Sequence, residues 1–193
     1  MADGAGHAAR ILLMFVVMPV WIAAGLTDYF CHRHSRIEDT SGPMESVLHL
    51  VQLGLVGLPV ILALFLEVNA GLLAVCIFCI LLHHGVAYLD VDYATHTRNV
   101  TPFEQMVHSF LEITPIAAFL LLGTLNWPQL TALFGVGPEP ARFALSLKSH
   151  ALPPAYVGGL LGATILFNLV PYLEELVRTL RAKKAPVSRG LSA

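Results

Sequence analysis

The hydrophobic positions of this chain fall in five long blocks rather than in stripes: Ile11–Tyr29, Met44–Leu66, Ala70–Tyr93, Phe103–Leu125 and Tyr156–Leu176. A helix on the surface of a soluble domain keeps a polar face, and these blocks have none. About 18 apolar residues suffice to cross the hydrocarbon layer as a helix, so each block is predicted to be a transmembrane span. The expected fold is all-α, a polytopic membrane helix bundle of about five transmembrane helices. Residues 1–193 form a single integral membrane domain. Composition agrees, since 12% of residues are charged where soluble domains average about 25%. The mean hydropathy is +0.71.

Charge sets the expected orientation. Arg178, Arg181, Lys183, Lys184 and Arg189 crowd the tail at 177–193, and the positive-inside rule places such a run in the cytoplasm. Five spans then put the N-terminus outside and the loops at 30–43 and 94–102 inside, with Arg33, Arg36 and Arg98. Met1–Arg10 precedes an apolar run that is long for a signal peptide, and that run reads as a retained span. Three cysteines give no disulfide framework. Cys76 and Cys79 lie mid-span, where packing is the expected role, and Cys31 stands beside His32.

Within this greasy background lies an internal repeat. Asp28-Tyr29-Phe30-Cys31-His32 is followed, after a loop, by Pro43-Met44-Glu45-Ser46-Val47-Leu48-His49. Asp92-Tyr93-Ala94-Thr95-His96 is followed by Pro102-Phe103-Glu104-Gln105-Met106-Val107-His108. Both copies read Asp-Tyr-x-x-His, loop, Pro-x-Glu-x-x-x-His, so spans 1–4 are expected to be two repeated hairpins, at about 11–66 and 70–125. Side chains at i and i+4 share a helix face, and four acid-then-histidine pairs have that spacing. Chance predicts about 0.6 such pairs in a chain with 13 acids and 9 histidines, and five occur, the fifth being Asp3/His7 in the N-terminal tail. The four repeated pairs sit at the ends of spans 1 and 3 and the starts of spans 2 and 4. Alternating topology places them all on one side of the membrane.

These residues are the candidate metal ligands: Asp28, His32, Glu45, His49, Asp92, His96, Glu104 and His108. Glu112, two turns inside span 4, joins them, because a charge at bilayer depth is expensive and usually functional. So do His83 and His84, of which His84 is slightly favoured; neighbours on a helix point about 100° apart. Bland roles compete with these. Thr101-Pro102-Phe103-Glu104 is a capping box and Gly42-Pro43-Met44-Glu45 is close to one. Asp28 and Asp92 could orient imidazoles from outside the coordination sphere, and Tyr29 and Tyr93 could be interface aromatics. His34 and Glu38 are held in reserve, and His7 and His150 have no assigned role. A structural zinc needs four ligands, usually rich in Cys. Many imidazoles and carboxylates in twofold repetition suit two ions instead, iron first, with manganese or zinc possible.

This plan, over about residues 28–112, resembles the membrane-bound di-iron oxygenases: fatty-acid desaturases, lipid and sterol hydroxylases and alkane hydroxylases. The usual His-x-x-x-His and His-x-x-His-His boxes are not present, and His83-His84 matches only the end of the second. The resemblance implies a di-iron centre that uses O₂ to hydroxylate or desaturate a hydrophobic, lipid-like substrate arriving from the bilayer. It also implies a separate electron-donor protein at the cytoplasmic face, since the chain has no nucleotide, flavin or iron–sulfur motif. No nucleic-acid partner is expected.

Two other readings compete. A metal transporter or sensor also uses intramembrane acids and histidines, but it should carry polar residues through to the far face, and the outer halves of spans 1–4 are almost wholly apolar. A metal-dependent lipid hydrolase would use metal-activated water and needs fewer ligands. Span 5 is expected to pack beside the four-helix core, and Ala141–Leu152 to be an amphipathic surface helix.

Overall fold

Proline and asparagine mark where the helices begin. The structure, a computed structural model, describes residues 2–184 and contains six helices. They are α1 (Gly4–Ser35), α2 (Pro43–Phe65), α3 (Ala70–Thr97), α4 (Pro102–Leu125), the short α5 (Trp127–Leu133) and α6 (Pro154–Lys183). Proline occupies the first turn of α2, α4, α5 and α6, where its missing N–H would have no partner anyway. Asn69 caps α3 by accepting the Leu72 N–H at 3.1 Å. Five of the helices are long and apolar enough to cross a membrane. Their outer faces carry large exposed apolar side chains, among them Phe15, Phe78, Leu81, Leu120 and Leu166. In water so large an apolar surface would aggregate; in a bilayer it is the solvated face. The chain is a multi-pass membrane protein.

The spans match the expected blocks but run longer. The Asp3/His7 segment, expected as an unstructured tail, is already helical from Ala2. At about 1.5 Å per residue the 32 residues of α1 reach about 48 Å, beyond the roughly 30 Å hydrocarbon core. Likewise α6 continues through Arg178 and Arg181 to Lys183. Hydropathy marks only the apolar centre of each helix; polar turns at the ends extend it. Arg189 lies outside the described residues.

The helices form a closed ring in the order α1, α4, α3, α2, α6. The expected hairpin of spans 3 and 4 is a direct pair. That of spans 1 and 2 is not, because α6 lies between α1 and α2 and packs on both. Gly25 makes this docking possible. A Cβ there would sit 2.0 Å from Asn168 Nδ2, so the bare Gly25 leaves room for the Asn168 amide. Across this contact Tyr172 donates to the Gly25 carbonyl at 3.2 Å, and Asn168 to that of Ile22 at 3.3 Å. Asn168 sits in a π-helical turn, Ile165–Leu169, a local widening often found at functional sites.

The turn between α1 and α2 is reversed by Arg36 (φ 53°) and Gly42 (φ 69°). At the opposite end of the bundle, Ala141–Leu152 is extended rather than helical. Prolines at 138, 140, 153 and 154 bracket it, and its backbone is claimed by the α2–α3 turn. Glu67 N donates to Ser146 O at 2.9 Å, Lys148 N to Phe65 O at 2.9 Å and Gly71 N to Arg142 O at 3.0 Å. The segment is a strap across that end.

Candidate metal centre

The inner face of α1 is Trp21, Gly25, Asp28 and His32, spaced as a helix stripe. At its end, Asp28 and His32 are fully enclosed. They meet Glu45 and His49 from α2, Asp90 from α3, Glu104 and His108 from α4, and Glu175 from α6, all buried. Every span contributes, and all do so at one end of the bundle.

Glu175 organises the centre. One carboxylate oxygen lies 3.1 Å from His32 Nδ1 and the other 3.1 Å from His49 Nδ1. A carboxylate can only accept, so each ring carries its proton on Nδ1. The two imidazoles stack with centroids 4.5 Å apart and planes 9° from parallel. Each Nε2 is then a lone pair. That of His32 faces Glu104 at 3.3 Å, Asp28 at 3.4 Å and Glu45 at 3.6 Å. That of His49 lies 3.0 Å from Asp90. Neither Nε2 has a hydrogen-bond partner, and His108 Nδ1 and Asp90 Oδ1 are likewise unpartnered. Lone pairs aimed at carboxylate oxygens repel unless a second ring proton or a metal cation lies among them.

The spacing suits metal ions. Ligand atoms about 2.1 Å from a shared ion lie roughly 3.0–3.4 Å from one another in octahedral or tetrahedral geometry. Among the described residues, three overlapping buried groups could hold an ion, with ligand atoms within 4.8 Å of one another: Asp28, His32, Glu104 and His108; His32, His49 and Glu175; and Glu45, His49 and Asp90. Glu175 meets both imidazoles at Nδ1, the place a carboxylate takes behind a metal-bound histidine.

Charge points the same way. Five buried carboxylates, Asp28, Glu45, Asp90, Glu104 and Glu175, face one guanidinium. Arg98 donates from Nε to both oxygens of Glu45, at 3.1 and 3.2 Å, and from Nη1 to Glu104 at 3.1 Å. Burial works against its charge, but these hydrogen bonds outweigh burial and hold its pKa above the usual value. Five carboxylates against one guanidinium leave an excess of acid, which imidazolium protons or bound metal cations would neutralise. Uncompensated buried charge costs several kcal/mol per ion.

The neighbours brace these groups. Ser41 Oγ donates to Glu45, and Tyr93 OH to the Ser41 carbonyl at 2.8 Å. Gln52 donates to Asp90 at 3.0 Å. Tyr29 donates to Glu174 at 2.9 Å, and Arg33 pairs with the same carboxylate at 2.8 Å. The two tyrosines thus tie segments together. Glu104 does not cap α4 with its side chain; Thr101 caps it by accepting the Glu104 N–H at 3.2 Å, which frees the carboxylate for the centre.

Of the residues expected from the repeat, Asp28, His32, Glu45, His49, Glu104 and His108 meet in the cluster. His83 and Glu112 line a cavity of about 30 Å³ beside it, together with Asp28, His49, Asp90 and His108. His83 is buried and unpartnered at both nitrogens. His84, the slightly favoured neighbour, is turned aside with Nδ1 2.8 Å from the Ile80 carbonyl. Asp92 and His96 do not reach the centre; they are 54% and 77% exposed and face each other. The buried stripe of α3 is His83, Ala87, Asp90 and Ala94, and Asp92, two residues past Asp90, lies about 200° around the helix. His34 is exposed, and Glu38 is taken by Arg178.

Asp90, Arg98 and Glu175 escaped sequence reasoning. Asp90 could have been found from its i+7 relation to His83. Glu175 stands at the join of the fifth apolar block and the basic tail, and nothing in its neighbourhood repeats the motif. Comparison with protein-family models, curated proteins and solved structures finds no match.

Proposed function

We propose that the chain is a membrane-embedded di-metal oxidoreductase, holding two iron ions and using O₂ to hydroxylate or desaturate a lipid-like substrate. One observation carries this reading: two histidine Nε2 atoms, positioned by a shared carboxylate, face carboxylate oxygens at 3.0–3.6 Å inside a buried cluster of five acids and one guanidinium. Asp28, His32, Glu104 and His108 would hold one ion, and Glu45, His49 and Asp90 the other. Mixed imidazole and carboxylate ligands favour iron or manganese over a thiolate-type zinc site. Bound iron would supply reductive activation of O₂, the balanced change being R–H + O₂ + 2e⁻ + 2H⁺ to R–OH + H₂O.

The protein's own groups do the rest. Glu175 keeps both imidazole protons on Nδ1 and both Nε2 atoms directed inward. Arg98 screens Glu45 and Glu104 on the loop side. The 30 Å³ cavity has room for about one small molecule of water size, and its wall residues Trp21, Leu53 and Leu111 keep bulk water out. His83 offers that cavity one N–H and one lone pair. The two electrons come from a separate donor protein. Arg33, Arg36, Arg178 and Arg181 gather at the cluster end, which supports a cytoplasmic location for that end and an acidic docking face on the donor.

Cation transport is a poorer fit. Beyond the cluster the bundle is apolar, and Arg10 and Lys148 stand at the far end. Mössbauer spectroscopy on protein loaded with isotopically enriched iron tests the reading. Spin-coupled iron pairs are expected. Isolated iron sites would overturn it, and stable retention of zinc in preference to iron would favour the hydrolase.

A further inference from the structure

The same ring of helices encloses a second, much larger space. Its volume is about 540 Å³, within the range of about 300–1,000 Å³ typical of small-molecule sites. All five spans line it, and its walls are apolar: Met18, Val56, Val60, Cys79, Phe119 and Leu160 are representative. Pro59 and Pro115 interrupt α2 and α4 at its sides. Along α2 it runs from Leu55 to Leu64, and nine residues at about 1.5 Å each make about 14 Å, with Glu67 in the turn beyond. The space is elongated along the bundle.

Its inner end stops about one helical turn from the cavity beside the cluster. Met18, Val56, Cys79 and Pro115 bound the large space, while Trp21, Leu53, His83 and Leu111 bound the small one. Each pair is three or four residues apart on its helix. Its outer end is polar: Arg10, Glu67, Lys148, Ser149 and His150. Glu67 is already engaged, accepting from the Ser149 N–H at 2.8 Å and its hydroxyl at 2.7 Å, and these bonds lower its pKa. Arg10 and Lys148 enter no ion pair among the described residues. Partial burial lowers the Lys148 pKa, as for an ammonium held against an apolar wall.

We infer that this space binds a single-chain amphiphile with an anionic head, the head held by Arg10 and Lys148 and the chain running down the axis with its methyl end toward the cluster. The length of the space suits an extended chain, and Arg10 and Lys148 against the single carboxylate of Glu67 leave the mouth net positive, which favours an anionic head. The inference rests on the di-metal reading for its chemical consequence: reaction would fall near the end of the chain remote from the head. Binding itself does not need metal. Cys76 and Cys79 find their role here, as wall residues.

The test uses the full chain carrying Trp127→Phe, so that buried Trp21, beside the inner end, is the sole tryptophan. Protein in phosphatidylcholine nanodiscs is titrated with stearic acids bearing a nitroxide near the carboxylate or near the methyl end. Iron content is measured on the same samples. Saturable quenching of Trp21, stronger for the methyl-end label, is expected. Arg10→Gln and Lys148→Gln should each weaken binding about tenfold, the value of a charge-assisted hydrogen bond, while the labelled methyl esters are unaffected by either change. Ala118→Phe, which fills the wall, should remove the saturable component, with the helical circular dichroism of each variant checked first. Non-saturable quenching, or stronger quenching by the carboxylate-end label, overturns the inference. Iron retained with no saturable binding defeats the inference alone; saturable binding without iron retention defeats the di-metal reading alone.

Discussion

The two copies of the repeated motif share their acids and histidines and meet different fates. In the first, Asp28, His32, Glu45 and His49 are all buried in the cluster. In the second, Glu104 and His108 are inside while Asp92 and His96 lie on the surface, and Asp90 and Arg98 occupy the inward positions instead. The difference follows from what lies between the paired helices. The longer first loop leaves room for α6 between α1 and α2, and α6 brings Glu175. The shorter second loop keeps α3 directly against α4, with α3 turned so that His83, Ala87, Asp90 and Ala94 face inward. A shared motif therefore does not guarantee a shared register. Helix rotation is decided by the whole packed face, here one with two alanines that admit close neighbours.

Substitutions at the ends of this contrast sharpen it. Arg98→Met should have the largest effect, because it leaves Glu45 and Glu104 buried without their cation. Removing one partner of a buried ion pair costs about 3–5 kcal/mol, read as a lower melting temperature in detergent. The loss should shrink when metal is bound, since the ions then neutralise both carboxylates.

Next comes Glu175→Gln. A glutamine oxygen can accept from one Nδ1–H but cannot serve both imidazoles as the carboxylate does. Outer carboxylates of this kind are worth about 10–100-fold in metal affinity, and competition with a chelator measures the change. Gly25→Ala should cost about 1–3 kcal/mol, as overpacking usually does, because its new Cβ meets Asn168. The double change Gly25→Ala with Asn168→Ala should recover part of that loss in thermal melts. If Gly25→Ala were neutral, the Asn168 amide would not be held against Gly25.

The smallest effect belongs to the second copy. Asp92→Asn and His96→Gln, both on the surface, should stay within about 0.5 kcal/mol of the parent and leave metal content unchanged. A loss of metal in either would return these residues to the site and undo the contrast between the copies.

Much of the architecture was legible because lipid solvates a helix all round: unbroken apolar blocks reveal spans whatever their neighbours are. Six of the eight residues in the repeated pairs were legible for a related reason, since i, i+4 spacing fixes a shared face within one helix. What spacing cannot give is the rotation of one helix against another, and so Asp90 stayed hidden behind the more conspicuous Asp92. Nor does it give the placement of a span without the motif, which concealed Glu175. The strap at 141–152 is extended rather than helical because its alternation of apolar and polar residues suits either form and its backbone partners decide between them. Its backbone partners at Phe65, Glu67 and Gly71 come from a distant part of the chain.

The central claim, that the buried acids and imidazoles enclose two divalent ions, is tested most directly by metal stoichiometry. Purified protein is loaded anaerobically with ferrous iron, freed of excess by dialysis and analysed by mass spectrometry of the element. About two irons retained per chain are predicted from the Asp28/His32/Glu104/His108 and Glu45/His49/Asp90 groups, falling in His32→Ala, whose Nε2 faces three carboxylates, and unchanged in His96→Gln. Retention of no iron, manganese or zinc by the correctly folded parent would contradict the account and leave the cluster as a network of protonated side chains.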